Sequence, residues 1–511
     1  MTDKLILHVG NTSISIDGKF PKGLYKNFKQ SLGYRPEDAI FRMKMSQNKS
    51  AKSGRKWAWD GYITTVCYNR HHCKCPIKKD GTHFPTGLLG KARDFFQTYE
   101  IPYQFVDDRV KVVRSTGMTM SDDFESRPYQ LEVVNNAVNS QRGIIRACTG
   151  SGKTAMAAQI IAKLGVSPFI FYVPSIDLLI QARDELSKFI VKNGSNLKVG
   201  AIGGGFFDIQ DVNVMTIQTA VRATGEKYIK FDEEENKIND LEIIDQNKID
   251  IRDLIISAKG CICDEVQHWA AETCQIISDY SSSCYYKYGM SATPWRDKGD
   301  DILIDACFGK LIADISASYL IKEGFLVKPN IYFVPMKHPS YKGQVYSSIY
   351  ESAIVENTMR NNCIASVAKK FADQGRTVLV LCRYIAHGKT LNSLMDNSVF
   401  LHGKHSGLER EEHLNKMRLQ QAPITIATSI FDEGIDCRPL DTLVLAGSGK
   451  SQTRALQRVG RTLRPFQGKN TAIIVDFDDK CKYLSSHSKK RKKIYETEEE
   501  FYIENLQIDN G

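Results

Sequence analysis

The stretch Ala147-Cys148-Thr149-Gly150-Ser151-Gly152-Lys153-Thr154 carries the residue types that hold a triphosphate. Its glycines let backbone N–H groups close around phosphate oxygens. Lys153 can reach the outer phosphates, and the hydroxyl of Thr154 can ligate Mg²⁺. The apolar pair Ile144-Ile145 leads into it and the helix-forming run 155–161 follows. That is the strand, loop and helix context such a loop requires. The first position of the usual pattern is glycine; here Ala147 stands there, a small residue that fits. Cys148, inside the loop, has no redox role in this reading.

Ile262-Cys263-Asp264-Glu265-Val266-Gln267 places two carboxylates at the end of a short apolar strand. Asp264 is suited to hold Mg²⁺ through water, and Glu265 to polarise the attacking water. Adjacent acids are common on surfaces; position one sheet unit after the phosphate loop gives this pair its meaning. Ser291-Ala292-Thr293-Pro294 follows a strand-like run. Its hydroxyls could bond the carboxylates, although taken in isolation a plain Ser/Thr/Pro turn is the better reading. Gln457-Arg458-Val459-Gly460-Arg461-Thr462-Leu463-Arg464 puts Gln457, Arg461 and Arg464 on one helical face. Two guanidiniums there could clamp a polyphosphate, and an arginine delivered to a phosphoryl group can contribute about 10³–10⁵ in rate. Upstream, the segment 427–436 offers Gly434 for close backbone approach and Asp436 to hold ribose or an arginine.

These residues need sheets to hold them. From Phe124 to about Phe325 strand-like and helix-like runs alternate, and the pattern restarts after Pro329. Such alternation predicts parallel sheets covered by helices. The fold class expected is α/β: two parallel-sheet lobes in tandem, preceded by a small basic α+β domain. The boundaries expected are 1–118 for the basic domain, 119–325 and 326–480 for the lobes, and 481–511 for a charged peripheral tail. Residues 226–253 read as a surface insertion.

Net charge is +10, from 69 Lys+Arg against 59 Asp+Glu. Residues 1–120 hold 21 basic and 10 acidic side chains, and so carry all of the net positive charge. Charge localised in this way suits a polyanion, since phosphate contacts supply most sequence-independent nucleic-acid affinity. Thirteen scattered cysteines, an odd number, argue against a disulfide framework and for a reducing compartment. No apolar run approaches the ~20 residues of a membrane span, and the N-terminus shows no signal-like segment.

Taken in order, the motifs resemble those of superfamily 2 helicases and translocases over residues 124–478. The resemblance includes Arg127-Pro128-Tyr129-Gln130, similar to the adenine-reading glutamine element of that family. It implies two RecA-like lobes, with ATP bound by Arg127, Gln130, Thr149–Thr154, Gly434 and Asp436. It also implies Mg²⁺ on Thr154 and Asp264, and catalysis by Lys153, Asp264, Glu265, Gln457, Arg461 and Arg464. Nucleic acid would touch Pro174, Ser175, Thr216 and Gln218 on the first lobe, and Arg383 and Thr428 on the second. Within the superfamily the chain is most similar to the XPB-like group and the phage UvsW-type branch-migration helicases, whose small N-terminal domain Trp59–Ile63 and Phe84–Leu89 resemble. The family's second motif often ends in His where this chain has Gln267, so coupling of hydrolysis to movement falls to that glutamine.

The function expected is an ATP-dependent DNA motor acting on duplex or branched DNA, in the cytoplasm of a bacterium or phage-infected host. A monomer suffices for it, and the oligomeric state stays open. The alternatives are an RNA helicase, against which the Asp-Glu-Val-Gln sequence speaks, a restriction-type motor subunit, and a module that uses ATP only as a switch. Cys67, His71, His72, Cys73, Cys75 and His83 are zinc-binding types without regular zinc spacing. A basic hairpin with Arg70, Lys74, Lys78 and Lys79 is the better reading of that segment. Arg55-Lys56-Trp57 and Trp59 could stack on bases or fill a core, and 489–493 is a solvated basic run.

Overall fold

The computed structural model describes residues 4–53, 59–68, 81–114, 117–224, 246–270, 272–295, 299–338, 341–428, 437–447, 449 and 452–506. They form two compact units: 1–146 with 153–314, and 147–152 with 315–511. The division thus falls at 314/315, earlier than the boundary expected at 325/326. The basic first domain groups with the first lobe.

That first domain is a four-stranded sheet in the order Thr82–Pro85, Ser13–Asp17, Leu5–Val9, Tyr103–Asp107. Leu5, Leu7 and Val9 point inward and Ile6 outward, the period-two pattern of a half-buried strand. Helices Leu24–Ser31 and Leu89–Thr98 cover the inner face with Phe28, Phe95 and Phe96. Phe28 and Phe96 stack with ring centroids 5.3 Å apart. The domain is fastened to the first lobe at Gly87. A Cβ there would lie 2.1 Å from the Asp305 carbonyl oxygen and 2.6 Å from that of Ala306, so only glycine permits the approach. Beside it, Arg142 Nη2 donates to the Asn11 carbonyl at 2.8 Å, and Asn11 Nδ2 to that of Ser282 at 3.0 Å.

The sheet of the first lobe has eight strands, in the order Phe206–Asp208, Gly200–Gly203, Val212–Thr216, Phe169–Val173, Gly260–Asp264, Tyr286–Ser291, Arg142–Ala147, Leu311–Ile315. The strand Phe169–Val173 is buried along its whole length, as expected of a parallel strand covered on both faces. One expectation is corrected. Residues 226–253 are not simply a surface insertion, because helix Gln246–Ser257 turns Ile251, Leu254 and Ile255 into the core. Residues 225–245 lie outside the described residues.

The second unit holds seven strands: Ser398–Leu401, Ile424–Ala427, Thr377–Leu381, Leu440–Val444, Thr471–Lys480, Lys328–Lys337, Tyr502–Asn505. Their registered pairings are all parallel. Here a second expectation fails: residues beyond 480 are not a peripheral tail. Helix Leu484–Tyr495 packs on the sheet, Arg491 forms a buried ion pair with Asp476 at 2.8 Å, and Tyr502–Asn505 adds an edge strand. Glu498 accepts hydrogen bonds from the backbone N and the hydroxyl of Ser318, both at 2.8 Å. Of the charges in this segment, Arg491 and Glu498 are the buried ones with internal partners, while Lys489, Lys490 and Lys493 stay exposed.

Behind the same sheet, Arg360 is fully buried. Its Nε and Nη2 donate to the two carboxylate oxygens of Asp479 at 2.9 and 3.3 Å, and its Nη1 donates to the Ala446 carbonyl at 2.7 Å. His338 Nε2 meets the Asp479 carboxylate at 3.0 Å from the other side. A forked guanidinium–carboxylate pair with its remaining bonds filled is the geometry in which buried charge is tolerated.

Candidate nucleotide and nucleic-acid site

The parallel order brings the chemistry of the first lobe to one edge. Arg142–Ala147, which runs into the phosphate loop, pairs with Tyr286–Ser291, and that strand pairs with Gly260–Asp264. The C-terminal ends of neighbouring strands therefore bring Ser291 and the Asp264–Glu265 pair together. Open parallel sheets bind ligands at this end.

In the loop, Gly150 and Gly152 take φ of +90° and +80°, left-handed values that favour glycine. Helix Lys153–Leu164 begins immediately after, and the free amides of its first turn are of the kind that can receive a phosphate. Lys153 Nζ lies 3.7 Å from Glu265 Oε1. Glu265 itself has φ of +50°, uncommon for a residue with a side chain. Its Oε2 accepts from Gln267 Nε2 at 2.8 Å and from Ser291 Oγ at 3.4 Å. The Ser291–Thr293 segment is thus more than a turn, since its hydroxyl reaches the carboxylate.

Asp264 is the most perturbed acid of the site. Burial, with the neighbouring Glu265 carboxylate, pushes its carboxyl up to about 7, while Lys153 pulls the other way. A half-buried carboxylate beside a second one is suited to a hard divalent cation, and the hydroxyl of Thr154 would supply a second oxygen donor. The residues fit Mg²⁺.

Gln130 is buried at the start of helix Pro128–Ser140. Its Oε1 accepts from Arg127 N at 3.1 Å and from Gln159 Nε2, on the phosphate-loop helix, at 3.5 Å. Arg127 Nη1 donates to Tyr129 Oη at 3.1 Å. Nearby, Pro174 and Ser175 follow one strand, and Thr216 and Gln218 follow its neighbour. Gln218 Nε2 donates to the Pro174 carbonyl at 2.8 Å, Ser175 caps helix Ile176–Phe189, and Thr216 Oγ1 lies 2.8 Å from Thr219 Oγ1.

In the second unit, Gln457 and Arg461 lie on helix Gln452–Thr462, with Arg464 just beyond it, all three half-buried. The turn 147–152 belongs to this unit and lies against that helix. A Cβ on Gly460 would come 2.7 Å from Thr149 Cβ, and one on Gly150 would lie 3.6 Å from Arg464 Cγ. Arg383 and Thr428 follow the adjacent strands Thr377–Leu381 and Ile424–Ala427; Thr428 is buried. Gly434 and Asp436 lie outside the described residues, as do Arg55–Trp57 and the 69–80 segment with most of the Cys/His cluster. Cys67 and His83 exchange backbone hydrogen bonds at 2.8 and 2.9 Å. Among the described residues no group of three or more His, Cys, Asp or Glu side chains could hold a metal, and no helix is long and apolar enough to cross a membrane.

Comparisons with known proteins agree with this arrangement. The family model of the type III restriction enzyme res subunit matches residues 123–296, and that of the helicase conserved C-terminal domain matches 359–465. The ATP-dependent DNA helicase uvsW of Enterobacteria phage T4 is 22% identical over 469 residues, covering 85% of this chain and 84% of that protein. The DNA 3'-5' translocase XPB2 of Sulfurisphaera tokodaii is 24% identical over 388 residues, covering 68% and 80%. Across such curated relatives the chain spans from 51% to 84% of their length. The fold is shared with the ATP-dependent type ISP restriction-modification enzyme LlaBIII bound to DNA, at a TM-score of 0.52 and 15% identity, covering 76% of this chain and 32% of that one. The chain thus carries both of these domains and, with the candidate phosphate loop, the paired acids and the arginine helix set on its parallel strands, is similar to the XPB and UvsW helicases.

Proposed function

We propose that the chain is an ATP-driven motor that moves on or remodels duplex and branched DNA. The observation that carries this reading is the meeting of Lys153, Asp264 and Glu265 at the ends of neighbouring strands. ATP is the substrate. The loop amides and Lys153 bind its phosphates, and Asp264 with Thr154 would hold Mg²⁺, which offsets phosphate charge when bound. Glu265, oriented by Gln267 and Ser291, accepts the proton of the attacking water. Arg461 and Arg464 are assigned to the charge that develops on the transferred phosphoryl group. That assignment is supported by the closeness of their helix to the loop turn within the second unit.

The first domain supplies the polyanion surface. Its excess of basic side chains, and its attachment through Gly87, support duplex or junction binding that moves with the first lobe. The likeness to phage and prokaryotic helicases supports a cytoplasmic setting, in a bacterium or a phage-infected host. The test is ATP hydrolysis measured with single strands, duplex, fork, four-way junction, R-loop and RNA, beside strand displacement on the same molecules. Greatest stimulation by branched or duplex DNA is expected. Stimulation by RNA alone would replace the DNA motor with an RNA helicase, and a tightly co-purifying nuclease would favour a restriction-type assembly.

A further inference from the structure

One feature of the second unit has no part in the nucleotide chemistry. Arg383 sits among three tyrosine rings, with its guanidinium carbon 6.0 Å from the centroid of Tyr346, 5.5 Å from Tyr350 and 5.4 Å from Tyr384. Tyr346 in turn meets Tyr483 at 6.2 Å, and Tyr350 meets Tyr384 at 5.2 Å. Lys482 Nζ stands 5.1 Å from the Tyr483 centroid. These residues come from three separate segments: the helix Tyr346–Tyr350, the turn after strand Thr377–Leu381, and the start of helix Leu484–Tyr495.

The rings are graded from core to surface. Tyr350 is fully buried and anchors the group, whereas Tyr384 and Tyr483 remain 36% and 41% exposed. Tyr483 is moreover held at φ of +64°, an unusual backbone for a residue with a side chain. Exposed rings backed by fixed cations offer π faces to flat, electron-rich partners and positive charge to phosphates. The resemblance of the motifs gave only Arg383 a nucleic-acid role; the rings around it were not legible as a group.

We propose that Tyr384 and Tyr483 are a base-stacking platform, which takes unpaired bases of single-stranded nucleic acid while Arg383 and Lys482 meet the strand's phosphates. The occupant is chosen by charge: two cations lie among the rings, as a polyanionic strand requires. This inference rests on the nucleic-acid reading above and adds the unstacked base as the group recognised.

The experiment compares a base-bearing oligonucleotide with an abasic one of the same length, binding to the full chain being followed by anisotropy. The expected result is tighter binding of the base-bearing strand, by about tenfold. That preference should vanish in Tyr384→Leu/Tyr483→Leu, which keeps apolar volume, and return in Tyr384→Phe/Tyr483→Phe, which keeps the rings. A 2-aminopurine in the strand should be quenched on binding by the parent and by the Phe variant, and not by the Leu variant. Equal affinity of the parent for both oligonucleotides would overturn the platform and leave nucleic-acid binding intact. Absence of binding to single strand, duplex and junction alike would overturn the nucleic-acid reading itself.

Discussion

Two regions of this molecule bury charge, and they do so to opposite ends. At the tips of the first sheet, Asp264 is enclosed beside a second carboxylate, with Lys153 as the cation that counters them, and its carboxyl rises to about 7. Behind the second sheet, the Asp479 carboxylate is fully buried, but a forked guanidinium and an imidazole fill its oxygens. The first arrangement leaves charge to be completed by a ligand; the second completes it internally. Burial alone therefore does not mark a functional acid. What separates the two sites is whether the protein itself supplies the counter-charge.

The contrast can be broken most forcefully at Lys153. Lys153→Ala should lower ATP turnover by at least about 10²–10³-fold, read as phosphate release, with much of the DNA affinity retained because the basic charge lies in residues 1–120. Parallel loss of both would show that hydrolysis and DNA binding share one site. Next in size, Arg360→Ala leaves the Asp479 carboxylate uncompensated and should cost about 3–5 kcal/mol in urea unfolding. A loss under about 1 kcal/mol would place that pair with ordinary surface bridges.

The third test turns on protons. In the folded chain the Asp264 carboxyl keeps its proton up to about pH 7, well above its unfolded range. Mg²⁺ must displace that proton, so apparent Mg²⁺ affinity should rise by about tenfold per unit below pH 7 and level off above it. Titration of the ADP complex with Mg²⁺ across that range measures it, and Asp264→Asn should flatten the slope. The mildest test is Gln267→Ala. Removing the 2.8 Å bond to Glu265 should lower turnover by about tenfold, about 1.4 kcal/mol, with ATP affinity little changed. A larger effect on affinity than on turnover would make Gln267 a binding group.

How much of this was legible beforehand follows from distance along the chain. The phosphate loop and the paired acids are contiguous strings in a recognisable strand context, so residues 147–154 and 264–265 could be read directly. Gln267 is singled out in the sequence only as the residue that stands where the family often has His; its bond to Glu265 is not read from it. Arg360 and Asp479 stand 119 positions apart, and each resembles a surface charge in its own neighbourhood. Only the register of two parallel strands with a helix behind them brings the pair together. The final segment misled for the same reason: Arg491 and Glu498 sit in a run of charges, and nothing local marks the two that turn inward. The tyrosines around Arg383 come from three segments, and no periodicity links them.

The late strand Tyr502–Asn505 has one more consequence. It lies along the outer side of Lys328–Lys337, whose inner side is already joined to Thr471–Lys480. A chain clipped before Tyr502 would keep every residue proposed for the nucleotide site, yet it would bare a row of unsatisfied amides and carbonyls, an open seam to which a neighbouring molecule could zip. Shortened versions of this protein should therefore clump before they lose the ability to bind nucleotide.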